Sequence, residues 1–155
     1  MKKIKHYFKE ILISLILITL ILNIVSYYRS QDLNTTNFPM KEISFNNKPL
    51  MVHFWATWCP VCKIEAPNIQ QVSKHYNVIT IAVNSGSDEN IKQYLKENNL
   101  DFKVINDQKS NYSEMFNIKV FPTTIIYDKN KKVIFSEVGY TSTLGLYLRM
   151  WWASL

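Results

Sequence analysis

Cysteine is scarce: the 155 residues hold only Cys59 and Cys62. With His6, His53 and His75 as the only histidines, a four-ligand zinc site lacks its second pair of ligands. Neither Ala nor Gly occurs before Ala56, so the N-terminal apolar run is not followed by the small residues at which an export signal is cleaved. Charge is sparse as well. Charged residues make up 19% of the chain against 47% hydrophobic, which excludes a disordered or collagen-like chain and implies a packed core. The net charge is +6, but four lysines and one glutamate lie in residues 1–10 and Arg29 follows, leaving 13 basic and 11 acidic side chains elsewhere. A fold so nearly neutral carries no nucleic-acid footprint, and none is expected as a partner. There is no internal repeat and no low-complexity block after the polar stretch that follows the apolar run.

From Ile11 to Tyr28 the chain runs eighteen residues without a charge, mostly Ile and Leu. At about 1.5 Å per helical residue that run reaches about 27 Å, close to the hydrocarbon thickness of a bilayer. Lys2, Lys3, Lys5 and Lys9 precede it, only Arg29 follows closely, and Tyr7, Phe8, Tyr27 and Tyr28 bracket it as interfacial aromatics do. The expected layout is a cytoplasmic basic terminus (1–10), an uncleaved transmembrane anchor (11–28), a linker rich in Asn and Thr with at most a short edge strand (29–47), and a folded domain (48–155). The positive-inside rule places that domain outside the cytoplasmic membrane, in the periplasmic or extracytoplasmic space, where disulfides persist.

Within the domain, Leu50–Ala56 is an apolar run that ends at Thr-Trp-Cys-Pro, the pattern of a buried strand entering a helix. The helix is expected to begin at Cys59 or Pro60, to carry apolar Val61, Ile64, Ile69 and Val72 on one side, and to kink at Pro67. Further elements are a strand at 78–83, a helix at 88–98, an extended piece at 102–105, a short helix at 112–116, a strand at 123–128, a turn at Lys129-Asn130, a strand at 132–138 and a last helix at 142–153. This order gives a mixed sheet with helices on both faces.

The cysteine pair is spaced C-x-x-C at the strand-to-helix junction. Backbone N–H groups and the dipole at a helix N-terminus stabilise an anion, so the first thiol is expected to ionise below its ordinary value of about 8.5, with the second one turn on to resolve a mixed disulfide. A purely structural disulfide closing so small a loop would constrain the unfolded chain little. Two inert thiols do not suit an exported domain.

Phe54–Cys62 (FWATWCPVC) resembles the active-site segment of the thioredoxin superfamily, and Lys119–Thr124 (KVFPTT) resembles its cis-proline loop. The fold implied is the thioredoxin fold, α/β with a central mixed sheet flanked by helices. The chain is most similar to the membrane-tethered TlpA and ResA group. The CPVC segment, Val83–Asp88, Asn106-Asp107 and the tail Gly139–Ala153 look like the copper-sensitivity-suppressor D type of protein disulfide oxidoreductase. The resemblance implies that Cys59 is the nucleophile and Cys62 the resolving thiol, with Pro60 between them. It further implies that Trp58 shields the disulfide and that Pro122, if cis, presents the backbone of Phe121 to substrate. Trp55, inside the strand, is expected to be core.

His53 lies six residues before Cys59, where thioredoxins carry a buried acid. Two readings stand: an internal base for Cys62, or a hydrogen-bonded core histidine. Glu65, where that group commonly has an acid, either shuttles protons or favours the positive end of the helix. His75 reads as a surface residue at a helix end. The stretch 144–155 has too many apolar groups for one narrow stripe; it is expected to be mostly the last helix packing on the sheet, the alternative being an exposed end that touches the membrane surface or a partner. The function expected is thiol-disulfide exchange with exported proteins and with a membrane thiol-disulfide carrier, using no metal or organic cofactor beyond the Cys59–Cys62 disulfide. The alternative is a copper-binding module, since two thiolates suit Cu(I).

Overall fold

The computed structural model describes residues 2–35 and 48–155. Five strands form one sheet of order β3-β2-β1-β4-β5: β1 (Leu50–Trp55), β2 (Asn77–Val83), β3 (Val104–Asp107), β4 (Thr123–Tyr127) and β5 (Val133–Val138). β1, β2 and β3 run parallel, while β4 and β5 are antiparallel to their neighbours. The helices are α1 (Lys2–Ser30), α2 (Pro60–Ser73), α3 (Asp88–Glu97), α4 (Asn111–Met115) and α5 (Thr143–Ala153). The mixed sheet expected from the sequence is therefore present, with an uneven cover. Ile69 and Val72 of α2, Ile91 of α3 and Leu146 and Met150 of α5 all join one buried cluster, whereas the other cluster holds Phe116, just past α4, and packs Leu33 against it.

β1 is central and buried along its whole length. A strand covered on both faces needs an unbroken apolar run, and LMVHFW supplies one with a single polar exception. Side chains alternate across the pleat: Met51 and Trp55 join the α2 side, while Leu50, Val52 and Phe54 join the other. Trp55 packs against Tyr94 and Phe102 and donates its indole N–H to Thr80 Oγ1 at 3.0 Å, the core role expected of it.

Several details differ from the sequence expectation. In α2, Val61 and Ile64 are exposed, Ile64 to 68%. The inward face is Cys62, Glu65, Ala66, Ile69, Gln70 and Val72, because one stripe spaced three and four residues apart must hold both Cys62 and Ile69. The helix runs through Pro67 as one element. β3 begins at Val104, two residues later than expected, since its register is set by pairing with Thr80–Val83 while Phe102 is used in the core beside Trp55. In the β4–β5 turn the positive φ falls on Lys131. Residues just after α1 lie against the domain: Asn34 N–H donates to Phe116 O (3.0 Å), and Asn117 Nδ2 donates to Asp32 O (2.8 Å). The rest of the proposed linker, with its edge strand, lies outside the described residues.

Phe54 is fully buried, with its ring 5.2 Å from that of Phe116. Phe54→Ala removes a large side chain from a site walled by strands on both sides, and is expected to lower unfolding free energy by about 3–5 kcal/mol. Urea unfolding followed by circular dichroism reads this directly; a loss within about 0.5 kcal/mol, the range of surface substitutions, would overturn this account of the core.

Candidate active site

β1 ends at Trp55, and four residues later Cys59 caps α2 in extended geometry, φ −83° and ψ 115°. Pro60 follows at the first helical position, where its fixed φ suits the helix and its missing N–H is no loss. Cys59 and Cys62 form a disulfide with Cα atoms 5.3 Å apart. Cys59 Sγ accepts the Cys62 N–H at 3.2 Å, so a main-chain donor at the positive end of α2 is already aimed at the sulfur on which charge would develop. Cys59 is 5% exposed and Cys62 1%.

Two loops brace this corner. Thr57 N–H donates to Ser85 Oγ (3.0 Å), which in turn donates to Val83 O (3.0 Å). Trp58 is exposed, donates its indole N–H to Asn84 O (3.1 Å), and stands edge-on to Phe121, ring centres 5.7 Å apart. The Phe121–Pro122 peptide is cis. Phe121 packs against both buried clusters, one of which contains both cysteines. Gly139 N–H donates to Pro122 O at 2.8 Å, and Gly139 itself has φ 104°, a backbone conformation open to glycine.

That last bond belongs to the start of the Gly139–Ala153 tail, for which the sequence suggests no contact with the site. Thr141 N–H donates to Glu65 Oε1 at 3.0 Å, and Asn68 Nδ2 donates to Thr141 O and to Tyr140 Oη. The loop 139–142 thus ties the proline turn to α2. The donors that matter there are main-chain N–H groups, which leave no mark in a sequence.

Glu65 is fully buried, and its Oε2 has no hydrogen-bond partner among the described residues. Burial raises its pKa to about 8, only partly offset by the Thr141 N–H. It lies three residues after Cys62 on the same inward face of α2. His53, 2% exposed in β1, is held through Nδ1 by the Thr124 hydroxyl at 2.9 Å, and burial lowers its pKa to about 3. A neutral, hydrogen-bonded imidazole is what this environment favours, which weakens it as a partner for a thiol proton. His75 is exposed beside Tyr147. Asn106 Nδ2 donates to Gly86 O and Asp88, and the buried Asp107 carboxylate caps α4 at Tyr112 and Ser113. Among the described residues no three His, Cys, Asp or Glu side chains are grouped to hold a metal ion.

A cysteine pair capping the helix that follows the central strand of such a sheet defines the class: a thioredoxin-like thiol-disulfide oxidoreductase. The chain belongs to the redoxin family, whose model matches residues 25–145. It is 34% identical over 124 residues to a thioredoxin-like protein of Haemophilus influenzae, covering 79% of this chain and 73% of that one. To the thiol-disulfide oxidoreductase ResA of Halalkalibacterium halodurans it is 26% identical, covering 70% and 63% respectively, which agrees with the ResA-like group seen in the sequence. The chain thus spans less than two thirds of that relative's length. A solved thiol:disulfide interchange protein of the thioredoxin family from Chlorobium tepidum superposes with a TM-score of 0.59 at 27% identity, covering 69% of this chain and 80% of the other.

Two of the buried titratable groups, Glu65 and His53, act on opposite limbs of the stability profile. For Glu65, raised from 4.5 to about 8, the folded state holds a proton that the unfolded state has lost, so stability falls as pH rises from about 4.5 to about 8. For His53, lowered from 6.5 to about 3, the unfolded state takes up the proton first, so stability falls as pH drops from about 6.5 to about 3. Glu65→Gln is expected to flatten the alkaline limb and His53→Asn the acid limb, read as urea midpoints across pH; unchanged slopes in both variants would overturn the assignment.

Proposed function

We propose that this chain is a membrane-anchored enzyme that exchanges disulfides with exported proteins on the outer side of the cytoplasmic membrane. One observation carries the reading: Cys59 caps α2 with the Cys62 N–H on its sulfur, beside the Phe121–Pro122 loop. In the reducing direction the Cys59 thiolate attacks a substrate disulfide and expels one substrate thiolate, leaving a mixed disulfide. The Cys62 thiolate then attacks Cys59 Sγ, releases the second substrate thiolate and leaves the enzyme as the disulfide. The opposite direction runs the same bonds in reverse. A membrane thiol-disulfide carrier restores the pair.

Attack by Cys62 requires loss of its proton, and Glu65 is the acceptor matched to the task. Its pKa of about 8 lies close to the ordinary value of a thiol, about 8.5, so transfer between the two costs little. Trp58, Val61 and Ile64 leave apolar surface next to the disulfide, which suits an extended, unfolded client segment laid along the Phe121–Pro122 loop. Anchoring is supported by α1, whose Tyr7–Ser30 stretch is long and apolar enough to cross a membrane, and by the lysines that precede it.

Cys59→Ser is expected to abolish turnover of a disulfide-linked peptide, while Cys62→Ser accumulates a mixed disulfide with it, visible on non-reducing gels; turnover surviving in Cys59→Ser would overturn the reading. In the intact enzyme the rate of resolution should rise with pH through a step near 8, as Glu65 becomes able to accept a proton. Glu65→Gln should lack that step, and an identical profile in the variant removes Glu65 from the mechanism.

A further inference from the structure

Helix α5 has two apolar faces, and the fold uses only one of them. Leu146, Met150 and Ala153 are buried against the sheet, whereas Leu144, Leu148, Trp151, Trp152 and Leu155 are 53–72% exposed. Their spacing of four, three, one and three residues forms one stripe along the helix. A stripe with two tryptophans and three leucines is a costly surface to leave in water.

Its position relative to α1 says what covers it. Ser26 of α1 is seated on the sheet edge, its hydroxyl accepting the Val138 N–H at 2.9 Å. Glu137, the next residue back, binds Arg149 of α5 at 2.8 Å and is also reached by Ser26 Oγ. Gly145 and Arg149 line one groove with Thr19 and Asn23 of α1. On the helical wheel the Gly145–Arg149 side borders the exposed stripe, so α5 lies within side-chain reach of the segment that enters the bilayer. At the far end of the stripe, Trp152 and Leu155 share a pocket with the β4–β5 turn, where Lys129, Lys131 and Lys132 are exposed. A tryptophan and leucine ridge rimmed by lysines matches a bilayer interface with anionic headgroups.

We propose that the outer face of α5 docks on the lipid surface from which α1 emerges, giving the domain a second membrane contact and a fixed tilt. This rests on the reading of α1 as a membrane anchor. The occupant is the bilayer itself, and the polar rim and apolar ridge recognise headgroups and upper acyl chains respectively.

The test uses the full chain carrying Trp58→Phe, reconstituted in vesicles of phosphatidylethanolamine and phosphatidylglycerol, with and without lipids brominated near the headgroup. Trp55 is buried, so lipid-dependent emission reports Trp151 and Trp152. The expected result is loss of emission with brominated lipid, and disappearance of that loss in Trp151→Ser/Trp152→Ser. A chain that resists alkaline extraction but shows no quenching overturns the docking and leaves the anchor standing. A chain that alkaline carbonate strips from the vesicles overturns the anchor and the docking together. Emission that follows protein concentration instead of lipid assigns the ridge to a second copy of the chain, and also overturns the proposal.

Discussion

The covering of β1 on both faces and both edges is the constraint from which the rest of this molecule follows. A six-residue strand with no exposed side chain cannot slip in register without driving every side chain to the opposite face. Trp55 is thereby fixed, the short turn after it has little freedom, and Cys59 arrives at the N-terminus of α2 in a set orientation. The site inherits its precision from a core strand, while Ala82 of β2 and Ile126 of β4 share its buried cluster and the loop after β5 adds hydrogen bonds.

Burial gives two ionisable groups of the domain, His53 and Glu65, opposite characters. His53 and Glu65 both sit where charge is penalised, yet the penalty pushes one towards permanent neutrality and brings the other towards the range in which a thiol titrates. A single physical effect, desolvation, thus keeps a familiar base neutral and leaves a carboxyl group protonated well above its ordinary range. The structural counterpart is Glu65 Oε2, a buried oxygen with no hydrogen-bond partner among the described residues.

Much of the fold and of the site was legible in the sequence because its signals were local. The apolar run before Thr-Trp-Cys-Pro placed β1 and the start of α2, and the KVFPTT segment located the proline loop. The inward face of α2 was not legible. Buried Glu65 and Gln70 break the apolar pattern, and exposed Val61 and Ile64 imitate it, so counting hydrophobic residues chose the wrong side. The extended piece at 102–105 marks β3 only in part, because Trp55 takes Phe102 into the core while Thr80 pairs with Val104. The loop that holds Glu65 was invisible for a different reason, since its donors are main-chain amides.

Ser26 on Val138 has one more consequence. β5 is an outer strand of the sheet, and an outer strand offers unpaired main-chain groups to any other strand that meets it. In this chain the end of that strand is closed by α1 through the Ser26 hydroxyl, beside the Glu137–Arg149 pair that ties the strand to α5. Helix α1 therefore covers a main-chain group that would otherwise be open to another strand, and removing it would leave that end of the sheet uncapped.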